Sequence, residues 1–244
     1  MILALDIGNT RVKAACFSSS GEMLCDQAWG SLSVAAIEHW LPEPPKHVVA
    51  SNSANVNPLP LSIASVAVSW LDFSGPWPFA LNYGSGLGVD RLLAVLGALE
   101  QTTSKDVCVI TCGTCLTFSA LSSVDGFLGG IIAPGLAMRL TAMHQGTGSL
   151  PLLDASWEGL SLENPQTSQS EESMQRGAFI GMLQQITDEV TLWRKHYPTM
   201  AFLLNGGDGM TFANHLESGI FAASKLELIG LYAHWTYAQN STSS

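Results

Sequence analysis

The chain opens on MILALDI, apolar except for Asp6; Gly8-Asn9-Thr10 breaks the run and RVKAACF resumes it. Two short apolar runs around a Gly/Asn break predict paired strands joined by a tight turn. HVVAS (47–51) and SVAVSW (65–70) read as further buried strands. Segment 71–87 carries Pro, Gly and aromatic residues and reads as loop. From Asp90 the pattern changes. Apolar residues at 92, 93, 96 and 99 recur at helical spacing, with an acid where the helix dipole favours one.

The second half follows the same order. VCVIT (107–111) predicts a strand, CGT a turn, CLTFSAL (115–121) a strand, and GFLGGIIAPG a glycine-rich continuation. Segment 152–170 is polar and reads as loop; a long helix is predicted over 171–195, closed by Tyr197-Pro198. MAFLLNGGDG reads as a strand running into a glycine turn, LELIGLYAHWTYAQ as a last helix, and STSS as a frayed tail. LALDIGNTRVKAACFSSSGEML and CVITCGTCLTFSALSSVDGFLG share one plan: strand, glycine turn, strand, Ser-rich turn. Asp6 falls at the place of Thr111, and Gly8 at the place of Gly113. An α/β protein of two similar halves, 1–105 and 106–244, with a cleft between them, is the predicted architecture.

Composition narrows the function. A chain with 47% hydrophobic and 12% charged residues folds into a well-buried globule. The net charge of −10, with only ten Lys and Arg and no basic run, argues against nucleic-acid binding by phosphate neutralisation. No apolar run reaches the ~18–20 residues of a membrane span, and the N-terminus enters a strand without a secretory signal. Five cysteines without zinc-site spacing fit a reduced cytoplasm. Six scattered histidines show no ligand spacing.

Two glycine turns can offer backbone N–H groups to a polyphosphate, and carboxylates at strand ends can hold Mg²⁺. Cys112-Gly-Thr-Cys115 has the spacing of a redox dithiol, which wants a helix N-terminus; the strand-forming LTFSAL that follows favours packing residues in a phosphate loop instead. Taken by themselves, Asp90 reads as a helix cap and Lys13 as a solvated strand residue.

DIGNTRVK (6–13), GVDR (88–91), CGTCLT (112–117), GGIIAPGLAMRLTAM (129–143) with TGSLP (147–151), SEESMQRG (170–177), NGGDG (205–209) and LELIGL (226–231) occur in an order and spacing that resemble the type III pantothenate kinases. These belong to the superfamily of acetate and sugar kinases, heat-shock ATPases and actin. The resemblance implies two ribonuclease-H-like halves with mixed sheets flanked by helices. It implies ATP-dependent phosphorylation of pantothenate to 4'-phosphopantothenate, the first step of coenzyme A biosynthesis, by a cytoplasmic homodimer. Mg²⁺ and a monovalent cation, K⁺ or NH4⁺, are the implied cofactors. By this resemblance Asp90 is the catalytic base. Asp6, Gly8, Asn9, Thr10, Lys13, Gly113 and Thr114 meet ATP phosphates, and Asp6 also serves the metal. Tyr83, Gly88, Arg91, Gly148 and Ser170 line the substrate pocket, Ser170 reaching in from the partner of the dimer.

The sequence departs from the family pattern at three places. Thr111 stands where the family carries an Asp, so a charge near Mg²⁺ is missing and weaker metal binding and lower turnover are expected. Asp208 in GGDG is a further acidic position, with a structural role as its alternative. YGSGLGVDR is about two residues shorter than the family spacing and lacks its proline, and Ser170 replaces a Thr while keeping the hydroxyl. A catalytically weak or inactive kinase-fold protein serving as a regulatory or binding partner is the alternative that Thr111 raises.

Overall fold

The structure, a computed structural model, describes residues 1–54, 62–71, 73–84, 86–157, 160 and 162–242. Ser85 of the loop before Gly88, residues 158, 159 and 161 of the polar segment, and Ser243 and Ser244 of the tail lie outside the described residues.

The first sheet grows from the opening hairpin. β1 (Ile2–Ile7) pairs antiparallel with β2 (Val12–Phe17), and β2 with β3 (Met23–Trp29). On the other side of β1 lie, in order, β4 (His47–Asn52) and β6 (Val66–Trp70), both parallel, with the two-residue β5 (Ser62–Ile63) at the edge. All of β1 is buried, because helices cover both of its faces. Leu3 and Leu5 pack with Ile37 of α1 (Val34–Trp40). Ile2 and Ala4 pack with Leu93 of α2 (Val89–Leu99) and with Leu228 and Leu231 of the last helix, α6 (Leu226–Thr242). The two-residue period of a strand therefore carries Asp6, and its cross-strand partner Lys13, onto the face covered by α2 and α6.

Helices α2 and α6 touch backbone to backbone. A Cβ on Gly97 would collide with the Leu226 carbonyl, and one on Gly230 with the Leu93 carbonyl. This crossing fixes the start of α6 beside α2.

The second sheet has the order β10 (Ile132–Pro134), β8 (Cys115–Ser122), β7 (Val107–Cys112), β11 (Ala201–Asn205), β12 (Ile220–Ala222), with β9 (Gly126–Gly129) also paired to β8. Both β11 and β12 run parallel to β7. The order repeats that of the first sheet, a meander followed by two parallel strands, so the duplicated plan seen in the sequence is a duplicated topology. Here the helices are α3 (Leu136–Gly146), α4 (Ser170–His196) and the short α5 (Gly209–Ala213). The expected strands, the helices at 90 and 226 and the 171–195 helix are all present; β3, β5, α1, α3, α5 and β12 are additions to the sequence reading.

The chain divides into two compact units. One comprises residues 1–105, 119–128 and 225–244; the other comprises 106–118 and 129–224. Segments 119–128 and 225–244, which the sequence groups with the second half, thus belong to the first unit. Local patterns cannot show this, because it depends on contacts distant in sequence: α6 packs against β1 and α2, and Phe127 N–H donates to Ala80 O at 2.9 Å.

Candidate active site

In the first unit a group of charged side chains gathers at the C-terminal end of β1. Asp6 is 4% exposed; its Oδ1 accepts a 2.9 Å hydrogen bond from the Ser51 hydroxyl of β4, its register partner. Lys13 on β2 places its ammonium 3.8 Å from Asp6 Oδ2 and donates to Glu227 Oε2 at 3.4 Å. Burial lifts the Asp6 carboxyl from 3.8 to about 6; the Glu227 charge adds to the rise, while Lys13 and Ser51 oppose it. Burial works against the charge on Lys13, yet Glu227 and Asp6 outweigh it and hold the ammonium above its ordinary value.

Asp90 and Arg91 come from the first turn of α2. The Asp90 carboxylate folds back onto the backbone N–H groups of Asp90 and Arg91, and a Cβ on Gly88 would collide with its Oδ1. That close approach is what residue 88 requires of its side chain. Burial raises the Asp90 carboxyl above the usual range and the Glu227 charge adds to this, against the backbone N–H groups and the Arg91 guanidinium. Arg91 is buried; its Nε donates to the Ser119 hydroxyl at 3.0 Å. Its guanidinium lies 6.0 Å from the Tyr83 ring centroid and 5.8 Å from that of Phe127, and these two rings meet edge to face.

The turn after β1 is tight: Gly8 N–H donates to Arg11 O at 3.0 Å, and Asn9 Nδ2 donates to Ser53 O at 3.4 Å. Asn9 and Thr10 stand exposed at its tip.

The second unit holds the equivalent turn. Thr111, at the end of β7, pairs in register with Asn205 of β11 as Asp6 pairs with Ser51. Gly113 N–H donates to Cys115 O at 3.1 Å, and Gly135 N–H to Thr114 O at 3.2 Å. The β11 turn closes over this loop: Asp208 N–H donates to Cys112 O at 3.1 Å. Gly206 there has φ +94 and presses on the Cys112 backbone, so both its conformation and its lack of a Cβ are needed. Gly148, after α3, and Ser170, the first residue of α4, are exposed in this same unit. The first unit therefore assembles Asp6, Gly8, Asn9, Thr10, Lys13, Tyr83, Gly88, Asp90 and Arg91, and the second carries Thr111, Gly113, Thr114, Gly148 and Ser170.

The cysteine question has a physical answer. Cys112 is wholly buried, and burial together with the Asp208 charge pushes its thiol up to about 12. A redox dithiol needs a lowered thiol, so this loop is not built as one. All five cysteines are free.

Ser51, Ser119, Phe127 and Glu227 belong to the first unit's group and received no role in the sequence reading. Ser51 was visible only as the end of a predicted strand. Glu227 lay within LELIGL without a neighbour in sequence to mark it.

The sequence matches the family described as Type III pantothenate kinase over residues 2–191. The chain belongs to the type III pantothenate kinase family. A type III pantothenate kinase of Bacteroides fragilis is 37% identical, over 95% of this chain and 96% of its own. The fold is shared with a Campylobacter jejuni protein described as a Baf family transcriptional activator, at a TM-score of 0.66 and 20% identity over 98% of this chain and 99% of that one. A ROK family glucokinase from Streptomyces griseus superposes with a TM-score of 0.56 at 13% identity, covering 98% and 99% of the two chains. The type III pantothenate kinase thus shares its α/β fold with these two proteins.

Among the described residues no helix is long and apolar enough to cross a membrane, and no group of three or more His, Cys, Asp or Glu is placed to hold a metal ion. Asp6 instead offers one buried carboxylate of hard oxygens, in a neighbourhood where Asp6, Asp90 and Glu227 outnumber Lys13 and Arg91. That donor set fits a cation of the Mg²⁺ type, which takes a carboxylate or two and completes its shell with water and phosphate oxygens.

Proposed function

We propose that the protein is an ATP-dependent pantothenate kinase that forms 4'-phosphopantothenate. The observation that carries this reading is the grouping of buried Asp6 and Arg91 with half-buried Lys13 and Asp90, in a chain of the type III pantothenate kinase family. The substrate hydroxyl oxygen attacks the γ-phosphorus; the new O–P bond forms as the bond to the ADP oxygen breaks, and the hydroxyl proton passes to an Asp90 carboxylate oxygen. Asp90 suits this task because burial strengthens it as a base while its backbone hydrogen bonds fix its direction. Arg91, held by Ser119 and flanked by Tyr83 and Phe127, presents a fork of donors to the pantothenate carboxylate. The 8–10 turn and Lys13 meet phosphate oxygens, and Gly113 and Thr114 form the corresponding phosphate loop. Asp6 would hold Mg²⁺, which, when bound, neutralises phosphate charge and aligns the groups. A monovalent cation and a homodimer in which Ser170 serves the neighbouring site complete the proposal on family grounds.

The test is ADP release coupled to pantothenate, with ATP, Mg²⁺ and K⁺ or NH4⁺, run beside Asp90→Ala. Pantothenate-dependent turnover that falls by about 10²-fold or more in a folded variant is expected. Wild-type-like turnover in Asp90→Ala would remove the assigned base, and no turnover in the folded wild type would overturn the reading.

A further inference from the structure

We propose that Glu227, the second residue of α6, is a positioning residue of this site that acts through Lys13. The inference rests on the kinase reading for its meaning in turnover, and on geometry for its existence. Glu227 is 5% exposed. Taking a carboxylate out of water costs several kcal/mol unless it is paired and hydrogen-bonded, and the Lys13 ammonium at 3.4 Å is its charged partner. Lys13 in turn stands between two carboxylates, with Asp6 Oδ2 the farther, at 3.8 Å.

The arrangement separates two tasks. A lysine has a flexible stem and a compact point charge, and beside one carboxylate it collapses onto it. Were Glu227 absent, Lys13 would close on Asp6 and occupy Oδ2, the oxygen that Ser51 leaves free of its hydroxyl bond. Glu227 draws the ammonium the other way, so the cation is held at a fixed place and Asp6 keeps its second oxygen for other work.

The supports of Glu227 are rigid. Its helix begins with Leu226, whose carbonyl lies where a Cβ on Gly97 would sit, so the first turn of α6 is set against α2. Lys225, immediately before α6, pairs with Asp26 of β3 at 2.5 Å and accepts at its carbonyl from the N–H groups of Leu228 and Ile229. The same α2 presents Asp90 and Arg91 from its own first turn. One helix crossing thus fixes Glu227 relative to the proposed base, and the Asp6–Lys13 strand pair lies on the face it covers.

A double-mutant cycle on the full chain decides the matter: wild type, Glu227→Gln, Lys13→Met and the double variant, with Glu227→Asp as a control that keeps the carboxylate. The readouts are kcat and KM for each substrate, and ATP affinity by calorimetry, which needs no turnover. Glu227→Gln is expected to lower kcat by about tenfold or more and to weaken ATP binding by several-fold, the range of directly coupled neighbours. KM for pantothenate should stay within about twofold, since Arg91 is untouched. In the Lys13→Met background the same change should have little further effect, and Glu227→Asp should recover part of the loss. Equal losses in both backgrounds, or wild-type kcat and ATP affinity in Glu227→Gln, would overturn the proposal. Should the wild type show no pantothenate turnover, the kinase reading fails, and the calorimetric cycle still decides whether Glu227 works through Lys13.

Discussion

Replacing Asp6 by Asn should make the protein more stable while removing its activity. Burial and the Glu227 charge push the Asp6 carboxyl from 3.8 to about 6 despite Lys13 and Ser51. The native state therefore binds a proton that the unfolded chain has already released between about pH 4 and pH 6. Across that window stability falls as pH rises, and above it the ionised carboxylate imposes a constant penalty. The gap between 3.8 and about 6 corresponds to about 3 kcal/mol. Asn is nearly isosteric with the protonated acid, and its carbonyl still accepts from the Ser51 hydroxyl. Lys13 keeps Glu227 as its partner. We expect Asp6→Asn to gain ~1–3 kcal/mol at pH 8, seen as a melting temperature raised by ~2–4 °C for each kcal/mol. The gain should shrink through pH 6 and vanish near pH 4. Pantothenate-dependent ADP release should be lost in the same preparation. A variant no more stable than wild type at pH 8, or a gain that does not change with pH, would refute the account of Asp6 as a strained, function-bearing carboxylate.

Two further predictions concern other parts of the fold. Thr111→Asp should lower the Mg²⁺ concentration for half-maximal turnover by roughly tenfold, the effect of ~1.4 kcal/mol, in a Mg²⁺ titration at fixed ATP; an unchanged requirement would show that position 111 does not serve the metal. Gly230→Ala should destabilise by about 1–3 kcal/mol or more, the scale of overpacking, because the new Cβ meets the Leu93 carbonyl. Thermal melting would show it, a wild-type melt would exclude the backbone-to-backbone crossing, and activity should fall along with stability because α6 carries Glu227.

The local elements were legible where a pattern carried them. β1 and β2 read as apolar runs because both are buried on two faces, and α4 read as a helix from its length and its Tyr-Pro end. β3 was missed because it is a half-exposed edge strand whose Asp26, Gln27 and Ala28 face water. α1 is seven residues long with a single buried side chain, marked only by the Ser33 cap that accepts from Ala36 N–H. α3 follows a Gly cap and buries only Leu136 and Leu140, too little to impose a period.

The sequence by itself determined the repeated strand–turn–strand plan, the acid at the end of the first strand and the Asp-Arg pair opening a helix, because each is a relation among near neighbours in the chain. The register of Asp6 with Ser51 and of Thr111 with Asn205 then showed the two copies to be equivalent in space. Only the tertiary structure decided that Lys13 is shared between Asp6 and Glu227, a residue 214 positions away, and that Arg91 is held by Ser119 and flanked by Tyr83 and Phe127. The physical reason is that such contacts depend on how helices pack on a sheet. In this protein that packing is set by two glycines, Gly97 and Gly230, whose importance no local pattern reveals.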